Sequence, residues 1–153
     1  MSSIVKDVTV PAAPDAVFDA FTSSAGLMSF FAPFAIVEPV VGGRYHLDFT
    51  VTGADDGEEP DDDTVCRIQA LEPGRLVVSF ANPPLGPRPI PHKTLTVIVS
   101  PDRDHGVDGA RVRIEHGPFS DAEALLERWW VRAWATILAR LVKRWKSGPI
   151  AWA

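Results

Sequence analysis

Four histidines (His46, His92, His105 and His116), one cysteine (Cys66) and one tyrosine (Tyr45) are the side chains of this 153-residue chain best suited to bind metal, move a proton or attack an electrophile. A zinc site would place them at spacings such as HExxH, HxH or CxxC, and none of these occurs. A serine nucleophile on a strand-to-helix elbow needs G-x-S-x-G, which is absent, and Cys66 falls within a strand pattern with no base beside it. Gly42-Gly43 has no G-x-x-x-x-G-K-[ST] or G-x-G-x-x-G around it, so it reads as a turn entering a strand rather than a phosphate loop. Neither a metal nor a cofactor is expected, and no catalytic residue is assigned.

His116 has the best chemical prospects of the four histidines. Alternation along Val112, Ile114 and His116 points it inward, just before the chain turns at Pro118. Its plain role is a hydrogen-bonded anchor that holds the 116–120 turn against the start of the following helix. Its chemical role would be a polar contact, or an acid or base, toward something held inside. The anchor is the expected role. Tyr45 offers the chain's one phenol, and Arg67 or Arg113 could supply a cation, but the alternation does not force the arginines inward.

The elements that must position these groups follow from periodicity. Residues 120–146, SDAEALLERWWVRAWATILARLVKRWK, hold four of the five tryptophans. At 100° per residue, Leu126, Trp130, Ala133, Trp134, Ile137, Leu138, Leu141 and Trp145 share one broad sector, the apolar stripe of an amphipathic helix. Arg128, Arg132, Lys143 and Lys146 face the other way, and Trp129 sits at the edge of the stripe. Ser120 and Glu123 form a capping box, acids gather at the N-terminal end and bases at the C-terminal end, and Gly148-Pro149 stops the helix. At 1.5 Å per residue it spans roughly 40 Å. Only a sheet can cover so long a stripe in a chain of this size.

Strands are expected at 3–10, 44–52, 64–71, 75–81, 93–100 and 110–116, with a short one at 34–39. Short turns between most of them favour antiparallel pairing. Tyr45, Leu47, Phe49 and Val51 share one strand face, and Leu76, Val78 and Phe80 repeat the pattern, as do Leu95, Val97 and Val99. One apolar and one polar face describe a sheet covered on one side. Two short helices, 14–22 and about 25–30, fit between the first two strands.

Composition is that of a globular chain, 46% hydrophobic and 23% charged. The net charge of −5 is local in origin: ADDGEEPDDD (54–63) contains seven acids, and the remainder of the chain is net +2 without them. This run lacks the residue order of a calcium loop and reads as a solvated connection. NPPLGPRPIPH (82–92), with five prolines, reads as a stiff connection between strands. The single cysteine and the lack of a signal-like N-terminus or an apolar run of 18 residues lead us to expect a cytoplasmic protein with no membrane span. The basic helix face comes without any nucleic-acid-binding motif in a net acidic chain, so no nucleic-acid partner is expected.

Taken in order, several segments resemble one family. IVKDVTVPAAPDAVFDAFT resembles the opening of START-like (SRPBCC) domains. VVGGRYHLDF, RIQALEPGRLVVSF and IEHGPFSDAEALLERWWVRAWATILARL resemble the third strand, the paired strands around Glu-Pro and the closing helix of the branch named for the activator of the heat-shock chaperone ATPase. The likeness covers about residues 3–146, with 147–153 as a tail to a single domain. Phe30-Phe31 depart from it where tryptophan is common, and Ala133-Trp134 stands for its Gly-Trp.

The resemblance implies an α+β helix-grip fold: a curved antiparallel sheet of six to seven strands wrapped around a long C-terminal helix, with two short helices after strand 1. It also implies a cavity between helix and sheet for a small apolar ligand. Candidate lining residues are Tyr45, Leu47, Phe49, Val78, Phe80, Val97, Val112, Ile114, His116, Trp130, Trp134, Ile137 and Leu141. The tryptophans either fill this space or form its wall, and their indole N–H groups discriminate, since a sealed core must give each a fixed partner. Hydrophobic-ligand binding is the expected function. The alternatives are an enzyme of the polyketide cyclase or aromatase type, for which convergent polar groups are few, and a protein-interaction module such as a chaperone ATPase modulator, suggested only by the branch's name. A homodimer is compatible with the chain.

Overall fold

The fold, seen in a computed structural model, is described over residues 1–48, 66–82, 90–102 and 109–152. The elements run β1 (Ser2–Val10), α1 (Pro14–Phe21), α2 (Ser24–Met28), β2 (Phe34–Val37), β3 (Tyr45–Asp48), β4 (Arg67–Glu72), β5 (Arg75–Phe80), β6 (Lys93–Asp102), β7 (Gly109–Phe119), a 3₁₀ turn (Asp121–Glu123) and α3 (Ala124–Ser147). Every expected element is present, shifted by a residue or two at most ends. The expected strand 44–52 is seen through Asp48; its remainder, with Phe49, lies outside the described residues. So do residues 64–65 of the expected strand 64–71, the acidic run 54–63, His105 and residues 83–89 of the proline-rich segment.

Local chemistry accounts for the boundaries. Pro14 opens α1, where its missing N–H and preset φ cost nothing. Ser23 caps α2 by accepting from Gly26 N at 3.0 Å. Pro73-Gly74 closes the β4–β5 hairpin, and Gly74 takes φ +77, a left-handed conformation that glycine adopts without strain. A side chain there would also press on Val99 O, 2.8 Å from the position of a Cβ.

All strand pairs are antiparallel. One sheet has the order β1-β7-β6-β5-β4 and a second pairs β2 with β3. The two join where β3 begins: Arg44 bridges Arg67, Tyr45 N donates to Cys66 O, Gly42 N to Ile68 O, and Ile68 N to Gly43 O. Seven strands among the described residues therefore form one curved wall, and α3, 24 residues or about 36 Å long, lies against it. Leu126, Trp130, Trp134, Ile137, Leu138 and Leu141 of α3 are buried on the sheet, while Arg128, Arg132, Lys143 and Lys146 are exposed. This is the helix-grip architecture.

The chain start and end are both tied to this frame. Ser2 Oγ donates to the Glu127 carboxylate of α3 at 2.8 Å. Beyond α3 the chain turns back on α2: Ile150 N donates to Ser29 O at 2.9 Å and Trp152 Nε1 to Met28 O at 2.6 Å. The Arg140 guanidinium covers the Trp152 ring at 4.9 Å. Residues 148–152 thus make a docked contact.

Candidate functional site

The seam between α3 and the sheet is aromatic, with one polar group in its middle. Among the described residues, His116 is, apart from the phenol of Tyr45 and the indole of Trp134, the one side chain with a polar group that is fully buried. It sits on β7, opposite Ile4 of β1 and Leu95 of β6. Four rings surround its imidazole: Trp130 at 4.7 Å between centroids, Phe119 at 5.3 Å, Phe80 at 5.5 Å and Trp134 at 5.9 Å, all near edge-to-face. Phe31 extends the cluster, edge-on to Trp134 at 5.6 Å.

Hydrogen bonding defines the state of this histidine. Trp134 Nε1 donates to His116 Nδ1 at 3.0 Å. An indole N–H can only donate, so Nδ1 is the accepting nitrogen and Nε2 carries the ring proton. Nε2 is buried and has no partner among the described residues. Burial, and next the Lys93 charge, pushes the His116 pKa down to about 3, so the ring is neutral at physiological pH. With Nδ1 occupied and Nε2 protonated, the imidazole is a fixed hydrogen-bond donor, not a base. Where an anchor to the start of the helix was expected, His116 instead joins β7 to the middle of α3.

The other polar groups of the seam are structural, and both buried indoles, Trp130 and Trp134, have the fixed partners expected of a packed core. Trp130 Nε1 donates to Asn82 Oδ1 at 3.0 Å, and Asn82 Nδ2 donates to Pro91 O at 2.7 Å, which ties together the two ends of the proline-rich segment. Lys93 meets Glu123 at 2.7 Å, and Glu123 also accepts from Ser120 N at 2.9 Å. Lys93 and then that N–H hold the Glu123 carboxyl below the usual carboxylate range. Tyr45 donates to Phe21 O at 2.7 Å; burial, and next Cys66, pushes its phenol far up, so it stays protonated.

Elsewhere the chemistry-bearing residues are dispersed. Cys66 Sγ accepts from Ala81 N at 3.2 Å, and burial raises its thiol pKa, the reverse of an activated nucleophile. His92 Nδ1 pairs with Ser79 Oγ at 2.8 Å, and His46 lies edge-on to Phe34. Arg67 and Arg113 are exposed; Arg67 Nη1 donates to Gly42 O, and Arg113 pairs with Glu115. Among the described residues no three of His, Cys, Asp and Glu gather where they could hold a metal ion, and no helix is long and apolar enough to cross a membrane.

Of the thirteen candidate lining residues, Tyr45, Val78, Phe80, Val97, Val112, Ile114, His116, Trp130, Trp134, Ile137 and Leu141 are buried in one contiguous cluster, against which Leu47 packs partly buried. Phe80, His116, Trp130 and Trp134 touch one another. Phe119, Phe31, Asn82 and Lys93 belong to the same neighbourhood but escaped the sequence reading. Phe119 escaped because β7 is irregular: Ser2 faces Phe119 and Ile4 faces His116, so three residues of β7 span two of β1. That extra residue reverses the alternation and returns Phe119 to the inner face. Gly117 allows it, since a Cβ there would come within 3.0 Å of Ser3 Cα. A Gly-Pro pair inside a strand pattern was the available signal.

Sheet, helix and aromatic seam together define a START-like helix-grip protein. Residues 11–146 match the family described as Activator of Hsp90 ATPase homolog 1-like protein, and this chain belongs to that family. No curated protein is a significant match. Among solved structures, protein SSP2350 from Staphylococcus saprophyticus aligns over 99% of this chain and 98% of its own at TM-score 0.71 and 14% identity. The Aha1 dimer from Colwellia psychrerythraea aligns over 97% and 98% at TM-score 0.65 and 18% identity. DynU16, from the dynemicin biosynthetic locus, aligns over 97% of this chain and 49% of its own at TM-score 0.67 and 18% identity. At such identities these similarities speak for the fold.

Proposed function

We propose that this chain, acting as one domain, binds a small and largely apolar molecule in the seam between sheet and C-terminal helix, with the thirteen candidate residues and Phe119 as its surroundings. The observation that carries this reading is His116 Nε2, an N–H in a fixed tautomer that is buried among aromatic rings and has no hydrogen-bond partner among the described residues. Leaving such a donor unsatisfied costs about 1–3 kcal/mol, and an acceptor atom on a ligand recovers it. The ligand is therefore an apolar, ring-bearing molecule with a carbonyl or ether oxygen. The single, unactivated cysteine fits a reducing cytoplasm.

An isosteric pair of probes tests the reading: 2-acetylnaphthalene, and 2-isopropenylnaphthalene, in which CH₂ replaces the carbonyl oxygen. Titrations followed by tryptophan quenching should give the ketone about tenfold tighter binding, as one buried hydrogen bond provides. His116→Leu removes the Nε2 donor together with the acceptor for Trp134 Nε1 and, in a variant whose circular dichroism is retained, should erase the difference. Failure of both probes to bind at micromolar protein would leave the seam a sealed core. The family's chaperone-directed name would then be the better guide.

A further inference from the structure

On the side of α3 turned away from the sheet, Leu125, Arg128, Trp129 and Arg132 line a surface groove of about 440 Å³. Leu125 is 72% and Trp129 40% exposed, unusual for large apolar side chains that sit one turn apart. At 100° per residue the four residues form two parallel rows, Leu125 with Trp129 and Arg128 with Arg132, each spaced i, i+4. Neither arginine side chain has a hydrogen bond or ion pair among the described residues. The nearby acids are engaged elsewhere: Glu123 by Lys93 and Ser120, Glu127 by Ser2. Other cations of the helix are also occupied, Arg140 over Trp152 and Arg144 over Trp145.

The groove is preorganised. The Trp129 ring stands at 90° to Trp130, 4.8 Å between centroids, and Trp130 is held by Asn82. An apolar row beside two cations that are unpaired among the described residues is complementary to a partner with apolar and acidic rows at the same spacing. We infer that this face of α3 docks an acidic amphipathic helix of another protein. Its carboxylates at i, i+4, about 6 Å apart along the axis, pair with Arg128 and Arg132, and its apolar side chains cover Leu125 and Trp129.

A lipid surface or nucleic acid fits less well. Polybasic lipid recognition uses clusters of about 4–8 cations. Here two cations meet the apolar row, Lys143 and Lys146 stand some 16 Å or more further along, and the chain as a whole is −5. Between the two cation pairs the outward residues are Ala135, Thr136 and Ala139, with nothing to insert into a bilayer.

The experiment uses the full chain and a fluorescein-labelled, helix-forming peptide of about 16 residues bearing Glu at i, i+4 beside a Leu/Phe row. We expect saturable anisotropy, with affinity falling as salt rises from 50 to 300 mM, and a shift of the Trp129 indole NMR signal. Replacing the peptide's Glu with Gln should weaken binding at least tenfold. Arg128→Glu with Arg132→Glu should abolish it and create affinity for the Lys version of the peptide. Both positions are exposed, so the variant should keep its circular dichroism and seam-probe binding. Trp129→Ala should weaken binding several-fold. Equal affinity for the Glu and Gln peptides, no binding up to 1 mM, or no effect of the double substitution overturns the inference. Tighter binding to vesicles of phosphatidylcholine and phosphatidylserine, or self-association that depends on Trp129, also overturns it, in favour of lipid or of a second copy.

Discussion

Trp129 and Trp130 are neighbours in sequence on a single helix and meet opposite environments. Trp130 faces the sheet among neutral rings, its indole N–H committed to Asn82, whereas Trp129 faces outward between arginines with 40% of its surface in water. The inner face of α3 was selected for packing, and its few polar atoms carry large energetic consequences because water cannot reach them. The outer face pays almost nothing in stability for its composition, so what stands there is available for recognition. Reading the helix by composition alone, as a tryptophan-rich element, would merge two surfaces with different physics.

Substitutions on the two faces should therefore separate widely. Leu141→Asp, fully buried on the inner face, should abolish cooperative folding, since it places an unpaired charge where several kcal/mol of solvation are lost. Circular dichroism and urea titration check this, and a soluble variant that unfolds cooperatively would mean the buried face is misassigned. Trp134→Phe removes the donor to His116 Nδ1 and should cost about 2–3 kcal/mol by urea unfolding, while Trp129→Phe should stay within about 0.5 kcal/mol of the parent. Equal costs at the two positions would break the comparison.

Acid should sharpen it. His116 is neutral when folded, its pKa lowered to about 3 from the ordinary 6.5, so the unfolded chain binds the extra proton between those values. The stabilisation is complete above pH 6.5 and falls as the pH drops through that window, by about 1.4 kcal/mol at pH 5.5. Urea midpoints at pH 7.5 and 5.5 measure it, and His116→Asn should remove this part of the slope. Glu123, also lowered, loses its stabilisation only as the pH falls through the ordinary carboxylate value of 4.5 and below, which leaves this interval nearly untouched.

How far the sequence could be read varies by residue. The inward positions of α3 and the strands were legible because each is a local periodicity, and Ser120, Pro14 and Gly148 mark boundaries through chemistry confined to one turn. The core membership of Tyr45, Phe80 and Ile114 followed from alternation alone. Phe119 was not legible, since one extra residue at Gly117 reverses the pattern and no periodicity announces it. Nor was Asn82, which looked like the first residue of a loop and serves as the acceptor for a tryptophan 48 positions away.

By itself the amino-acid order determined the elements, their succession and which face of each would avoid water, because periods of 2 and 3.6 residues arise from bonds between near neighbours. Only the tertiary structure decided that Trp134 would lock the tautomer of His116, that Nε2 would be left alone among rings, and that residues 148–152 would close on α2. Those outcomes depend on how distant segments approach and register against one another. No local rule carries that information.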